Sequence, residues 1–247
     1  MKLTDFRVLT FDCYGTLIDW ESGIIAALQP LLARAGVMPQ AALEAFARHE
    51  AAQQVQTPAM LYPDVLAAVH RRLAEAWGVP MPEAAHRRFG ASIADWPAFA
   101  DTPDALRYLK RHYRLVILSN IDWASFAASN RRLGVDFDAV CTAEDIGSYK
   151  PDPANFRYLL ERVAELGHGV PEILHTAQSL FHDHAPARRL GLASAWIDRR
   201  GEQDGWGATM APPEGAAWDF RFTSMAAMAA AHRQEGAELS AVPAGPR

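Results

Sequence analysis

Two hydrophobic periods divide the chain into strands and helices. Val8-Leu9-Thr10-Phe11 is a short apolar run that stops abruptly at Asp12-Cys13-Tyr14-Gly15-Thr16. Its length and β-branched content predict a buried strand running into a glycine-containing turn. From about Trp20 to Trp96 the pattern becomes helical, rich in Ala and Leu and poor in strand formers. Breaks near Gly36-Val37-Met38-Pro39, Gln56-Thr57-Pro58 and Gly78-Val79-Pro80 divide this stretch into about four helices. Beyond it the two patterns alternate. Asp101-Thr102-Pro103 opens a helix through Tyr113, and Leu115–Leu118 is a second buried strand ending at Ser119-Asn120. A helix near Trp123–Leu133, a strand near Phe137–Thr142 and a helix over Pro153–Leu166 follow. Then come a strand over Glu172–Gln178, a helix over His184–Leu190 and a strand over Ala193–Ile197.

This alternation predicts an α/β fold with a Rossmann-like, doubly wound parallel sheet. The helical block interrupts it after the first strand and reads as an inserted cap domain. The expected division is a core of residues 1–18 and 97–233, a cap of 19–96, and a loose C-terminal tail over 234–247. Cap stripes of Ala and Leu serve the cap's own core and its packing on the sheet domain, with a homodimer face as the alternative.

Composition narrows the partners. Half of the 247 residues are hydrophobic, and the net charge of −5 carries no basic stripe, which argues against nucleic acid. Cys13 and Cys141 cannot make a disulfide framework and suit a reducing compartment. The N-terminal segment lacks a signal-peptide core, and no apolar run approaches the roughly 20 residues that span a bilayer. The expectation is a cytoplasmic protein without a membrane partner.

In a parallel sheet, sites form outside the carboxyl ends of the strands. Asp12, Ser119-Asn120, Lys150, and Gln178 with Asp183 all fall just beyond apolar strands. One such residue is usually a turn former. Four strand ends in succession make a shared pocket the better reading.

These segments together resemble the haloacid dehalogenase superfamily. Phe11-Asp12-Cys13-Tyr14-Gly15-Thr16-Leu17 is similar to its first motif and Leu118-Ser119-Asn120 to its second. Ser148-Tyr149-Lys150-Pro151-Asp152 is similar to the third, and Gln178-Ser179-Leu180-Phe181-His182-Asp183 to the fourth. The resemblance implies that Asp12 is a covalent nucleophile, supported by Thr16 and Lys150. Phosphatases of the superfamily carry an aspartate two positions after the nucleophile and a metal-ligating aspartate in the fourth motif. Here Tyr14 and Gln178 stand in those places. A phenol with an unperturbed pKa near ~10 is a poor acid, and an amide lacks the charge that a hard cation prefers.

An aspartate, a small residue and Tyr-Gly-Thr resemble instead the L-2-haloacid dehalogenase branch. That implies hydrolysis of a small organic acid through an Asp12 ester, with no metal or other cofactor. Asp183, helped by Lys150, would position the water. Tyr14, Ser119, Asn120 and Lys150 would meet the substrate. Arg48, on the second cap helix, would receive the halide. The chain departs from the branch at Phe156, Leu180 and His182, so the pocket is re-lined. A magnesium-dependent phosphatase and a catalytically silent ligand-binding member are the alternatives. Cys13 reads as a buried structural thiol. His175, His182 and His184 do not have the spacing of a compact zinc site.

Overall fold

The structure, a computed structural model, describes residues 1–201 and 203–241. Six strands form one parallel sheet: β1 (Val8–Phe11), β2 (Arg114–Ser119), β3 (Ala139–Thr142), β4 (Ile173–Ala177), β5 (Ala193–Ile197) and β6 (Phe220–Phe222). Their order is β3-β2-β1-β4-β5-β6. The chain runs outward from β1 through β2 to β3, then returns to lay β4 on the other side of β1. That reversal opens a crevice at the carboxyl ends of β1 and β4.

Between β1 and the rest of the sheet lie four helices: α1 (Trp20–Ala35), α2 (Pro39–Gln56), α3 (Tyr62–Ala76) and α4 (Glu83–Ala91). They form the helical cap that the sequence pattern predicts. Asp19 starts α1 by accepting the amide of Ser22, and Gly36 ends it in the left-handed conformation. Buried Phe46, Tyr62, Val65, Leu66 and Phe89 pack the cap interior.

Six more helices surround the sheet: α5 (Thr102–Leu109), α6 (Trp123–Leu133), α7 (Ala143–Ile146), α8 (Pro153–Glu165), α9 (Ala185–Arg189) and α10 (Met225–Ala241). Two features depart from expectation. The helix expected from His184 begins at Ala185 and is preceded by a π-helical turn over Leu180–His184. The segment from Gln234, expected as a loose tail, continues α10 as far as Ala241. Its Ala, Gln, Glu and Leu are good helix formers, and the Gly and Pro content farther on obscured this. Met225, Met228 and Ala229 anchor the helix in the core, and Glu235 accepts from the amide and hydroxyl of Thr4. Residues 242–247 of the expected tail lie outside the described residues. Among the described residues no helix is long and apolar enough to cross a membrane.

Candidate active site

All four strand β1 residues are buried, and the chain leaves the sheet at Asp12. The Asp12 amide still donates to Thr176 of β4 at 3.1 Å, which fixes its carboxylate over the crevice. The turn then closes tightly, with the amides of Leu17 and Ile18 both reaching Cys13 O. Gly15 allows this with φ of +91°. A Cβ there would meet the Trp20 indole at 3.0 Å and the Gln178 amide at 3.2 Å.

The turn returns Thr16 beneath the carboxylate. Its hydroxyl donates to Asp12 Oδ2 at 2.7 Å and accepts from the Gln178 amide at 2.9 Å. The first motif is thereby tied to the end of β4. Arg199 holds the same turn from outside, donating twice to Thr16 O and once to Asp101. No motif marks Arg199, because its role is to hold a backbone carbonyl.

Lys150 is the centre of the charge arrangement. Its side chain is 2 % exposed, and its ammonium donates to Asp12 Oδ1 at 2.9 Å, Asp183 Oδ1 at 2.7 Å and Leu118 O at 3.0 Å. Three donors meet three acceptors, which saturates the group. Burial works against the charged amine, but the two carboxylates prevail and hold its pKa above the ordinary lysine value. Asn120 positions it: the side chain accepts from the Lys150 amide at 2.6 Å and donates to the Lys150 carbonyl at 3.1 Å.

The two carboxylates differ in environment. Burial pushes Asp12 up, and the Asp183 charge adds to this against the pull of Lys150, so its pKa is raised. Burial also acts upward on Asp183, but Lys150 and a hydrogen bond from His175 outweigh it and hold the carboxyl well below the usual range. His175 Nε2 is 3.0 Å from Asp183 Oδ1, and its Nδ1 is 2.8 Å from the Thr10 hydroxyl. A carboxylate only accepts, so in the neutral ring Nε2 carries the proton and Nδ1 accepts from Thr10. The β1–β4 register sets Thr10 directly beside His175. Asp183 Oδ2 has no partner in the protein.

Several of these groups line one narrow cavity of about 30 Å³. Asp12, Ser119, Asn120, Lys150, Gln178 and Asp183 come from the sheet side. Glu50 and Gln54 of α2 and Tyr62 of α3 come from the cap. The Ser119 hydroxyl is buried and unpartnered, a donor left available to a ligand.

The structure corrects the placement expected of Arg48 and details three other expected substrate contacts. Arg48 is exposed and does not line the cavity; the helix turns it outward and turns Glu50 inward two residues later. Asn120 lines the cavity, but its amide is engaged with the Lys150 backbone. Lys150 has no N–H left for a substrate carboxylate. Tyr14 presents its ring, while its hydroxyl points to α6, 2.7 Å from Ser129 Oγ.

The histidines disperse. His184 bonds Ser194 and Ala177 O, His182 bonds Ser179, and His175 serves Asp183. The donor set fits a magnesium ion poorly. Lys150 already bridges the two carboxylates, and Gln178 offers a neutral amide where a third charge would help. No group of three or more His, Cys, Asp or Glu among the described residues is placed to hold a metal.

A family profile for haloacid dehalogenase-like hydrolases matches residues 6–171. The chain is 28 % identical over 126 residues to an (S)-2-haloacid dehalogenase of Pseudomonas fluorescens, covering 50 % of this chain and 54 % of that one. It is 27 % identical over 126 residues to another from Pseudomonas putida, with the same coverage. The match thus spans about half the length of these curated relatives. Among solved structures, an L-2-haloacid dehalogenase superposes with a TM-score of 0.73 and 26 % identity, covering 93 % of this chain and 99 % of that one. The L-2-haloacid dehalogenase of Xanthobacter autotrophicus, with chloropropionic acid covalently bound, gives a TM-score of 0.76 at 19 % identity over 92 % of this chain and 98 % of that one. That second likeness is one of fold. With the profile spanning more than half of the chain, the protein belongs to the haloacid dehalogenase-like hydrolases.

Proposed function

We propose that the chain hydrolyses small 2-haloacids to 2-hydroxy acids through an ester on Asp12. One observation carries the reading: a single buried ammonium holds two carboxylates of unlike character at one cavity. Asp12 faces the cavity with a donor on each oxygen, and Asp183 lies behind with Oδ2 unpartnered. The (S)-2-haloacid dehalogenase activity of the Pseudomonas relatives agrees with it.

In the first step an Asp12 oxygen attacks C2, the new C–O bond forms, and the carbon–halogen bond breaks with the halogen leaving as halide and taking the bonding pair. The Ser119 hydroxyl is the donor for the substrate carboxylate. In the second step a water, losing its proton to Asp183, adds to Cγ of Asp12. Either Thr16 or Lys150 remains on the non-ester oxygen to receive the developing negative charge. The bond from Cγ to the ester oxygen then breaks, the leaving oxygen takes the proton held by Asp183, and the hydroxy acid departs; loss of the remaining proton to solvent restores the Asp12 carboxylate. Hydrolysis in place of direct displacement divides a difficult step in two.

Phosphoryl transfer is less well supported, since Tyr14 and Gln178 supply neither the acid nor the metal charge. A panel of 2-haloacids and small phosphate esters, assayed with and without magnesium, tests the choice. Halide release without added metal is expected. Phosphate release that requires magnesium, with no halide from any haloacid, overturns it.

A further inference from the structure

An in-line displacement expels its leaving group on the side opposite the attacking oxygen. Asp12 attacks from the sheet side of the cavity, so the departing group moves toward α2 and α3. The charged or acidic side chain that those helices bring to the cavity is Glu50, 4 % exposed. Its Oε1 accepts from the Tyr62 hydroxyl at 2.5 Å, and among the described residues its Oε2 has no hydrogen bond. Among the residues lining this cavity the one fixed cation is Lys150, and its three donors are already engaged. A halide leaving toward the cap therefore meets no guanidinium or free ammonium.

We propose that Glu50, held by Tyr62, is the catalytic hydrogen-bond donor that receives the departing halide, acting as the neutral acid. The proposal rests on the dehalogenase reading above and names the leaving-group site within it. Atoms balance without further reactants. Asp12 forms the bond to carbon, the halogen leaves with the bonding pair, and Glu50 keeps its proton in an O–H···halide contact.

Burial raises the Glu50 carboxyl to about 7, against the lowering effect of the Tyr62 hydrogen bond. The ionisable groups facing it are Tyr62 from α3, Tyr149 from the segment before Lys150, and Tyr14 beyond the first strand. Across the cavity lie Asp12, Lys150, His182 and Asp183. Burial pushes the three tyrosines upward and pushes His182 down to about 4. Lys150 stays charged and Asp183 ionised, while Asp12, like Glu50, is raised, so the Glu50→Gln profile is the measurement that assigns the change in halide affinity to Glu50. A neutral acid attracts halide, and its carboxylate repels it.

Equilibrium binding of bromide, followed by fluorescence of the cavity residue Trp20, tests this without turnover. In the wild type, affinity is expected to fall by roughly tenfold or more from pH 6 to pH 8.5. Glu50→Gln keeps an N–H donor but does not titrate, so its affinity should vary less than about twofold. Tyr62→Phe removes a hydrogen bond that favours the carboxylate, so the loss of affinity should move to higher pH. A pH-independent wild-type affinity, an unchanged pH profile in either variant, or no bromide binding at any pH overturns the proposal. Failure of the dehalogenase reading has a separate signature: no halide release from any 2-haloacid.

Discussion

His175 Nε2 stands 3.0 Å from Asp183 Oδ1, and both side chains are fully buried. The contact joins a strand interior to the π-helical turn after that strand, so Asp183 is aimed by the sheet itself. With Lys150 on the same oxygen, Oδ2 is the atom left for a water.

Asp183→Asn is expected to separate the two half-reactions. The amide cannot take the water proton, whereas attack by Asp12 on carbon does not require it. With a reactive 2-haloacid the variant should release about one equivalent of halide in a burst and then stall, with an intact-mass adduct on the peptide containing Asp12. Steady turnover at the wild-type rate would show that Asp183 is not the water's partner.

Lys150→Met leaves two buried carboxylates facing each other without a cation. Breaking such a buried arrangement typically costs about 3–5 kcal/mol, and activity should be lost with it. In the variant, burial and mutual repulsion raise both carboxyl values in the native state. A raised native pKa contributes stability below the unfolded value and loses it as pH rises. Urea unfolding should therefore show a smaller deficit at pH 5 than at pH 7.5, and an equal deficit at both would contradict the charge account.

Halide release should survive exhaustive chelation, because the site's positive charge belongs to Lys150. Removal of activity by EDTA and its return with magnesium would contradict this.

The cap also holds a histidine whose titration is displaced. His70 and His86 meet Nδ1 to Nδ1 at 2.7 Å, and burial, then the charge on His86, lowers His70 to about 4. From about pH 6.5 down to about 4 the unfolded chain binds a proton that native His70 refuses. Stability should fall with pH over that window, by at most about 1.4 kcal/mol per unit for this one group. His182 and His184, also lowered to about 4 by burial, add to the slope. His70→Gln should flatten it without removing it. An unchanged slope in chemical unfolding between pH 6.5 and 4.5 would show that the pair is not the source.

Much of this was legible from residue pattern alone. Asp12, Ser119, Lys150 and Asp183 could be found because short apolar strands end abruptly at polar residues, and strand ends converge in a parallel sheet. His175 was missed as a partner of Asp183 because it lies inside β4, where periodicity marks burial but says nothing of the atom it faces. On α2 the family resemblance, which implies a cap arginine, drew attention to Arg48. Which residue turns inward depends on helix phase against the sheet domain, and that phase selects Glu50. The short β6 and the cavity residue Thr209 lie beyond the motif-bearing part, where no periodic signal placed them.

Asp12 is expected to carry the covalent intermediate. Asp12→Asn, a near-isosteric amide and a poor nucleophile, should abolish turnover in an intact fold. The more direct measurement follows oxygen atoms. Wild-type protein in excess over a 2-haloacid, in heavy-oxygen water, performs one turnover and is digested for mass analysis. If water attacks Cγ of the ester, the label enters the Asp12 carboxylate and the hydroxy acid carries an unlabelled oxygen from the protein. Labelled hydroxy acid from that first turnover, with Asp12 unlabelled, would mean that water attacks carbon directly, and the ester mechanism would be wrong.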